Sequence, residues 1–225
     1  MLTNSASAQG IDIVVPNEYA GSEAPGGLGD VWTSYVFQQV FDASQFANLP
    51  TGGASLTHVS WRLDGDFEGP NSYPAEQFGI KASVTTVTPD TLGETFADNI
   101  TGPVFILADG PFDFEPDAGP VGGPNPFDYR IPVTPFHYDP ADGNLLLEFE
   151  VVNAPPALYI DFLSEPSPTT RQVSNELIDP NNPPGIGALN PGGVVQLTFL
   201  PEPSSFLLAA ITALAILPRR RRSFS

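Results

Sequence analysis

Hydrophobic and polar positions alternate with a period of two along most of this chain. Val59, Trp61 and Leu63 alternate with His58, Ser60 and Arg62. Phe78, Ile80, Ala82 and Val84 alternate with Gly79, Lys81 and Ser83. Phe127, Tyr129, Ile131 and Val133 form a third set, and Leu145, Leu147, Phe149 and Val151 a fourth. Leu158, Ile160 and Phe162 form a fifth, and Val195, Leu197 and Phe199 a sixth. Such alternation predicts strands with one buried and one wet face, as antiparallel sheets have. Residues 11–15, 33–41 and 104–107 are further strand candidates. Helical periodicity is weak; residues 39–46 and 91–99 could each form a turn or two.

The 21 glycines and 26 prolines gather between these runs, where they punctuate turns. Many short strands divided by such loops predict an all-β fold: a single antiparallel β-sandwich, jelly-roll-like, over residues 11–199. No internal repeat and no second domain is visible. At 41% hydrophobic residues the chain can fold around one core without staples. It has no cysteine, so neither disulfides nor thiol chemistry enter.

One run breaks the period. From Phe206 to Leu217 the chain is apolar on every side, and Pro218 and four arginines, Arg219, Arg220, Arg221 and Arg222, follow. Residues 204–217 make about 21 Å of helix, against a hydrocarbon core of about 30 Å. Snorkelling arginines would extend the span, and four alanines keep it only moderately hydrophobic, which suits a transient membrane anchor. A buried C-terminal helix is the competing interpretation. The arginines favour the membrane and place residues 1–203 on its outer side.

Charge divides the chain in the same way. All 26 acidic residues precede the apolar run, with only Arg62, Lys81, Arg130 and Arg171 as bases among them, leaving −22 there and +4 in the tail. That field repels nucleic acid and anionic headgroups and attracts divalent cations. At the other end, Ala6-Ser7-Ala8 before Gln9 is the small-residue pattern of a signal-peptidase cut, with Ala6 and Ala8 at its critical places. No basic or apolar leader precedes it. The expectation is an in-frame start further upstream; chance occurrence of the triplet is the alternative.

Residues 201–223 resemble the PEP-CTERM sorting signal of bacterial exosortase substrates. Pro201, Glu202 and Pro203 supply the tripeptide, the apolar run the short transmembrane helix, and the arginines the basic stop cluster. The match spans about a tenth of the chain. The resemblance implies recognition by an exosortase-type membrane transpeptidase, which would cut near the tripeptide and release or re-anchor the exported part, and it implies an exopolysaccharide or biofilm-matrix setting. Residues 38–44, 59–62, 135–140 and 143–147 also resemble stretches of some PEP-CTERM ectodomains, β-sandwich surface proteins without an assigned activity.

No catalytic constellation stands out. A Gly-x-Ser-x-Gly nucleophile elbow is absent. His58 and His137 lie far apart with no third zinc ligand specified. Paired carboxylates for glycoside hydrolysis cannot be picked out among so many acids. Asp139, Asp142 and Asn144 on one loop, and Asp64, Asp66 and Glu68 on another, offer oxygens that calcium would accept, though turn chemistry explains the same residues. Of the aromatics able to stack on sugar rings, Trp61 and Tyr129 read as core, and Trp32 and Tyr73 as the more exposed. The expected function is that of an exported surface or matrix protein, structural or adhesive and non-enzymatic. A carbohydrate-binding module acting on exopolysaccharide is the alternative, and a secreted hydrolase a third.

Overall fold

The computed structural model describes residues 9–29, 34–65, 73–114, 123–154, 159–176 and 185–202. These residues are all-β. Twelve strands run as β1 (Ile11–Val15), β2 (Gly26–Gly29), β3 (Tyr35–Phe41), β4 (Ala54–Trp61), β5 (Tyr73–Thr85), β6 (Phe105–Phe114), β7 (Tyr129–Tyr138), β8 (Asn144–Val152), β9 (Tyr159–Phe162), β10 (Thr170–Glu176), β11 (Ala188–Asn190) and β12 (Val195–Leu200). Every pairing is antiparallel. One sheet has the order β1-β12-β4-β7, a second the order β11-β10-β3-β8-β5-β6, and β2 pairs with β9 alone.

The two large sheets share one apolar core, because each directs its alternating large side chains at the other. Val59, Trp61, Leu197 and Phe199 come from the four-stranded sheet; Phe37, Ile80, Leu147 and Phe149 come from the six-stranded one. Trp61 meets Phe149 edge to face with ring centroids 4.9 Å apart, and Tyr129 meets Phe114 at 5.3 Å. The six expected alternating sets fall on β4, β5, β7, β8, β9 and β12, except that Leu63 lies just past the end of β4, Phe127 lies before β7 and packs outside the shared core, and Leu158 lies outside the described residues.

Alternation misses the second burial layer. Segments between strands cap the outer faces, so polar-side positions are buried too. Leu92 and Phe96, in the β5–β6 connection, pack on Val36, Val40, Leu146 and Val173, on the face turned away from the core. Across the molecule Ala24 and Leu163 pack with Val14 and Val194, and Tyr19 and Phe127 lean on that cluster. Helical expectations shrink to 3-10 turns. Residues 39–41 finish β3 and Ala43–Phe46 form one turn; Pro89–Thr91 and Phe96–Asn99 form two more.

Tyr73 is a correction. Expected among the exposed aromatics, it is 1% exposed, at the head of β5 and against Phe114. The Pro-rich segment before it disguises an inward strand position. Trp61 and Tyr129 are core, as their inward phase requires. Ala6, Ala8, Trp32, Asp66, Glu68, Pro203, the expected anchor helix and Arg219–Arg222 lie outside the described residues. Among the described residues no helix is long and apolar enough to cross a membrane.

Candidate functional site

The last described residues leave the fold at one end of an interior strand of the four-stranded sheet. Leu200, 40% exposed, closes β12 beside Ser55 of β4, and Pro201 and Glu202 follow at once. Glu202 is not left in solvent alone. Its Oε1 accepts from Ser55 Oγ at 3.2 Å and lies 3.2 Å from His137 Nδ1. Ser55 and His137 are cross-strand partners on β4 and β7, next to the last rung Ala54–Tyr138, so one carboxylate reaches both strands of that pair. Both His137 and Glu202 stay open to water, which keeps the contact weak.

One step along β7, Phe136 turns inward, and its ring centroid lies 5.4 Å from that of Phe105. Phe105 belongs to β6, the edge of the six-stranded sheet. Val104, Phe105 and Ile106 are 47%, 50% and 64% exposed, three large apolar residues in succession. Phe105 is the one aromatic among the described residues in the exposed range; a row of rings for sugar stacking is not found among them.

Two acids on the outer face of β8 flank a base on the neighbouring β5. Lys81 Nζ lies 2.7 Å from Glu148 Oε1 and 4.0 Å from Glu150 Oε2, and Gln38 Nε2 donates to Glu148 Oε2 at 2.8 Å. Burial works against the lysine's charge. The hydrogen bond to Glu148 and the negative charges of Glu148, Glu150 and Asp109 outweigh it and raise its pKa above the ordinary value. The arrangement is a salt-bridged surface network; no cleft separates the two carboxylates for acid–base work on a glycoside.

The turn at Asp139 uses its oxygens internally. Asp139 Oδ1 accepts from Ala141 N, and Asn144 Oδ1 accepts from Ala43 N while its amide donates to Val87 O. Two of the three oxygen-bearing side chains thus serve the backbone, as Asx turns do. Among the described residues no group of three His, Cys, Asp or Glu side chains could hold a metal. His58 and His137 do lie on the same face of neighbouring strands. His58 contacts Thr57 Oγ1 at 3.1 Å, and burial, then Arg130, lowers its pKa against the opposing pull of Asp12. A groove of about 180 Å³ lined by Tyr19, Pro25, Leu163, Glu165, Pro166 and Pro168 is smaller than ligand pockets usually are.

Sequence reasoning missed one polar centre. Arg62 and Asp161 are 1% and 0% exposed and form a salt bridge. Arg62 Nε donates to Asp161 Oδ2 at 2.7 Å, and Nη2 donates to the same oxygen and to the carbonyls of Tyr19 and Ser22. Asp161 Oδ1 accepts from Ala24 N at 3.0 Å. Phe127 lies 4.8 Å from the guanidinium. The pair ties the 16–25 segment and β9 to the end of β4, which is a structural task. Burial pushes the Asp161 carboxyl up to about 6, although Arg62 and the Ala24 N–H pull the other way. No protein-family model, curated protein or solved structure matches the chain.

Proposed function

We propose that this is an exported surface or matrix protein of structural or adhesive role, sorted through residues 201–223 by an exosortase-type transpeptidase. Its exported part is a jelly-roll sandwich. Leaving aside β2 and β9–β11, the remaining eight strands fall into the orders first-eighth-third-sixth and second-seventh-fourth-fifth, the arrangement two Greek keys give.

The observation that carries the proposal is where the tripeptide stands. β12 lies between β1 and β4 and ends at Leu200, and Pro201-Glu202 begins with no loop between. A cut at the tripeptide therefore leaves every described strand and the shared core on the exported side. A sorting signal has to be separable from its cargo in this way. The described surface adds no competing catalytic constellation, and function rests on the segment rather than on the fold.

The test uses the chain with a secretory leader in a bacterium carrying an exosortase, with epitopes before Ile11 and after Ser225. Processing predicts that the C-terminal epitope is lost and the N-terminal epitope reaches the surface or medium. Pro201→Ala with Glu202→Ala should hold both epitopes in the membrane fraction. Equal processing of that variant, or a wild-type chain that never enters the membrane fraction and is never cut, overturns the proposal.

A further inference from the structure

We infer that the apolar segment Phe206–Leu217, when no bilayer takes it up, docks on the exposed edge formed by Val104, Phe105 and Ile106. The inference concerns the segment that sorting would use, but it needs no sorting machinery.

Three observations converge on this occupant. The edge is apolar and open: Val104, just before β6, and Phe105 and Ile106, which begin that outermost strand of the six-stranded sheet, are 47%, 50% and 64% exposed. Edges of that kind invite a covering segment unless charge or proline blunts them, and none of these three residues is charged or proline. The chain also arrives at the right place. Glu202 is held by Ser55 and His137, and the residue before His137 is Phe136, whose ring packs on Phe105. From Glu202 to Phe206 the four intervening steps reach at most about 14 Å, so the apolar segment begins within that radius of Glu202.

Charge supplies the third. The tail holds no acid and four arginines, while the rest of the chain carries −22. Folding the tail back brings +4 against that field; a second copy of the chain on the same edge would bring another −22. Like-charge repulsion therefore favours the chain's own segment over a partner copy. In water the segment would otherwise expose its apolar surface on every side. The contact shelters it until a membrane competes for it.

The chain has no cysteine, so an introduced pair is unique. The full chain carrying Ile106→Cys and Ala210→Cys is oxidised mildly in detergent-free buffer and followed on non-reducing gels. The control joins Ala210→Cys to Ser164→Cys, an exposed site beyond the Trp61 end of β4 and so at the opposite end of that strand from Ser55. Docking predicts a cross-link within one chain about tenfold faster than in the control, from the raised effective concentration. Adding Phe105→Ser, at a half-exposed position, should slow it towards the control, with an unchanged far-ultraviolet dichroism and urea midpoint checking that the variant is folded. Rates equal to the control, a rate indifferent to Phe105→Ser, or cross-links only between chains overturn the inference; the last outcome makes a second copy the occupant. A chain that is sorted normally yet shows no cross-link sinks this inference alone. One that cross-links but is never sorted sinks only the proposed function.

Discussion

Arg62 and Asp161 form the one ion pair among the described residues with both side chains fully out of water. Taking two charges from water costs several kcal/mol each, and the pair is supported by hydrogen bonds on both sides: two donors on Oδ2, the Ala24 N–H on Oδ1, and the carbonyls of Tyr19 and Ser22 at Nη2. Arg62→Met strands a buried carboxylate and leaves two carbonyls without a donor. It should cost about 3–5 kcal/mol in urea unfolding, whereas Arg62→Met with Asp161→Asn should cost well under the sum of the single changes. Additive losses would mean the two residues act separately. The pair also sets a pH dependence. Burial raises the Asp161 pKa from 3.8 to about 6, so between those values the folded state binds more protons than the unfolded one. Stability through this group then falls as pH rises across that window, and it is gained on acidification. From pH 7 to pH 5 the wild type should gain about 1 kcal/mol, a gain missing in Asp161→Asn. A wild-type chain losing stability over that interval, or a variant gaining as much, contradicts the assignment.

Strands are the scale at which the sequence was most legible, and burial between them the scale at which it was least. The inward phase of β8 was readable because Leu145, Leu147, Phe149 and Val151 repeat every second position. Leu146 breaks that phase, and the sequence offered no means of seeing Leu92 and Phe96 fold over it from far along the chain. Arg62 was misplaced for the same reason. Period two puts it on the wet face, and the 16–25 segment that covers it is a long-range partner. Its rarity was the available signal, since only four bases precede the tail. At the candidate site Glu202 was legible from its motif, but its partners Ser55 and His137 and the nearby Phe105 edge needed the fold. Two tests belong to this scale. Phe149, 0% exposed, joins Phe37 of its own sheet to Trp61 of the facing one, so Phe149→Ala should lose about 3–5 kcal/mol. The Gly52-Gly53 turn before β4 separates two effects. Both glycines have positive φ, at +87° and +81°, but a Cβ on Gly52 meets nothing within 4 Å, while one on Gly53 lies 2.2 Å from the Tyr138 carbonyl oxygen. Gly52→Ala should cost about 1 kcal/mol of backbone strain and Gly53→Ala clearly more. Equal losses would show that the turn relaxes.

Over the whole molecule one field dominates. Formal charge is −18, and the portion before the tail carries −22. A compact body of that charge repels itself, and folding brings its acids closer than the unfolded chain does. Among the described residues the opposing pairs are few, and Lys81 with Glu148 and Glu150 is the main one at the surface. Added salt should therefore stabilise the fold: raising NaCl to about 150 mM shortens the screening length to about 8 Å and should raise Tm. Calcium discriminates between screening and binding. Asp139 Oδ1 is taken by Ala141 N and Asn144 Oδ1 by Ala43 N, so that turn is committed to its own backbone. CaCl2 and NaCl at matched ionic strength are then expected to give the same rise. Asp139→Ala should lower Tm through the lost turn, at about 1 kcal/mol, without changing the response to calcium. A rise specific to calcium and abolished by Asp139→Ala or Asp64→Ala would show instead that these loops gather an ion. In that event the acidic surface would be a ligand set rather than a uniform source of repulsion, and a structural role outside the cell would depend on calcium supply.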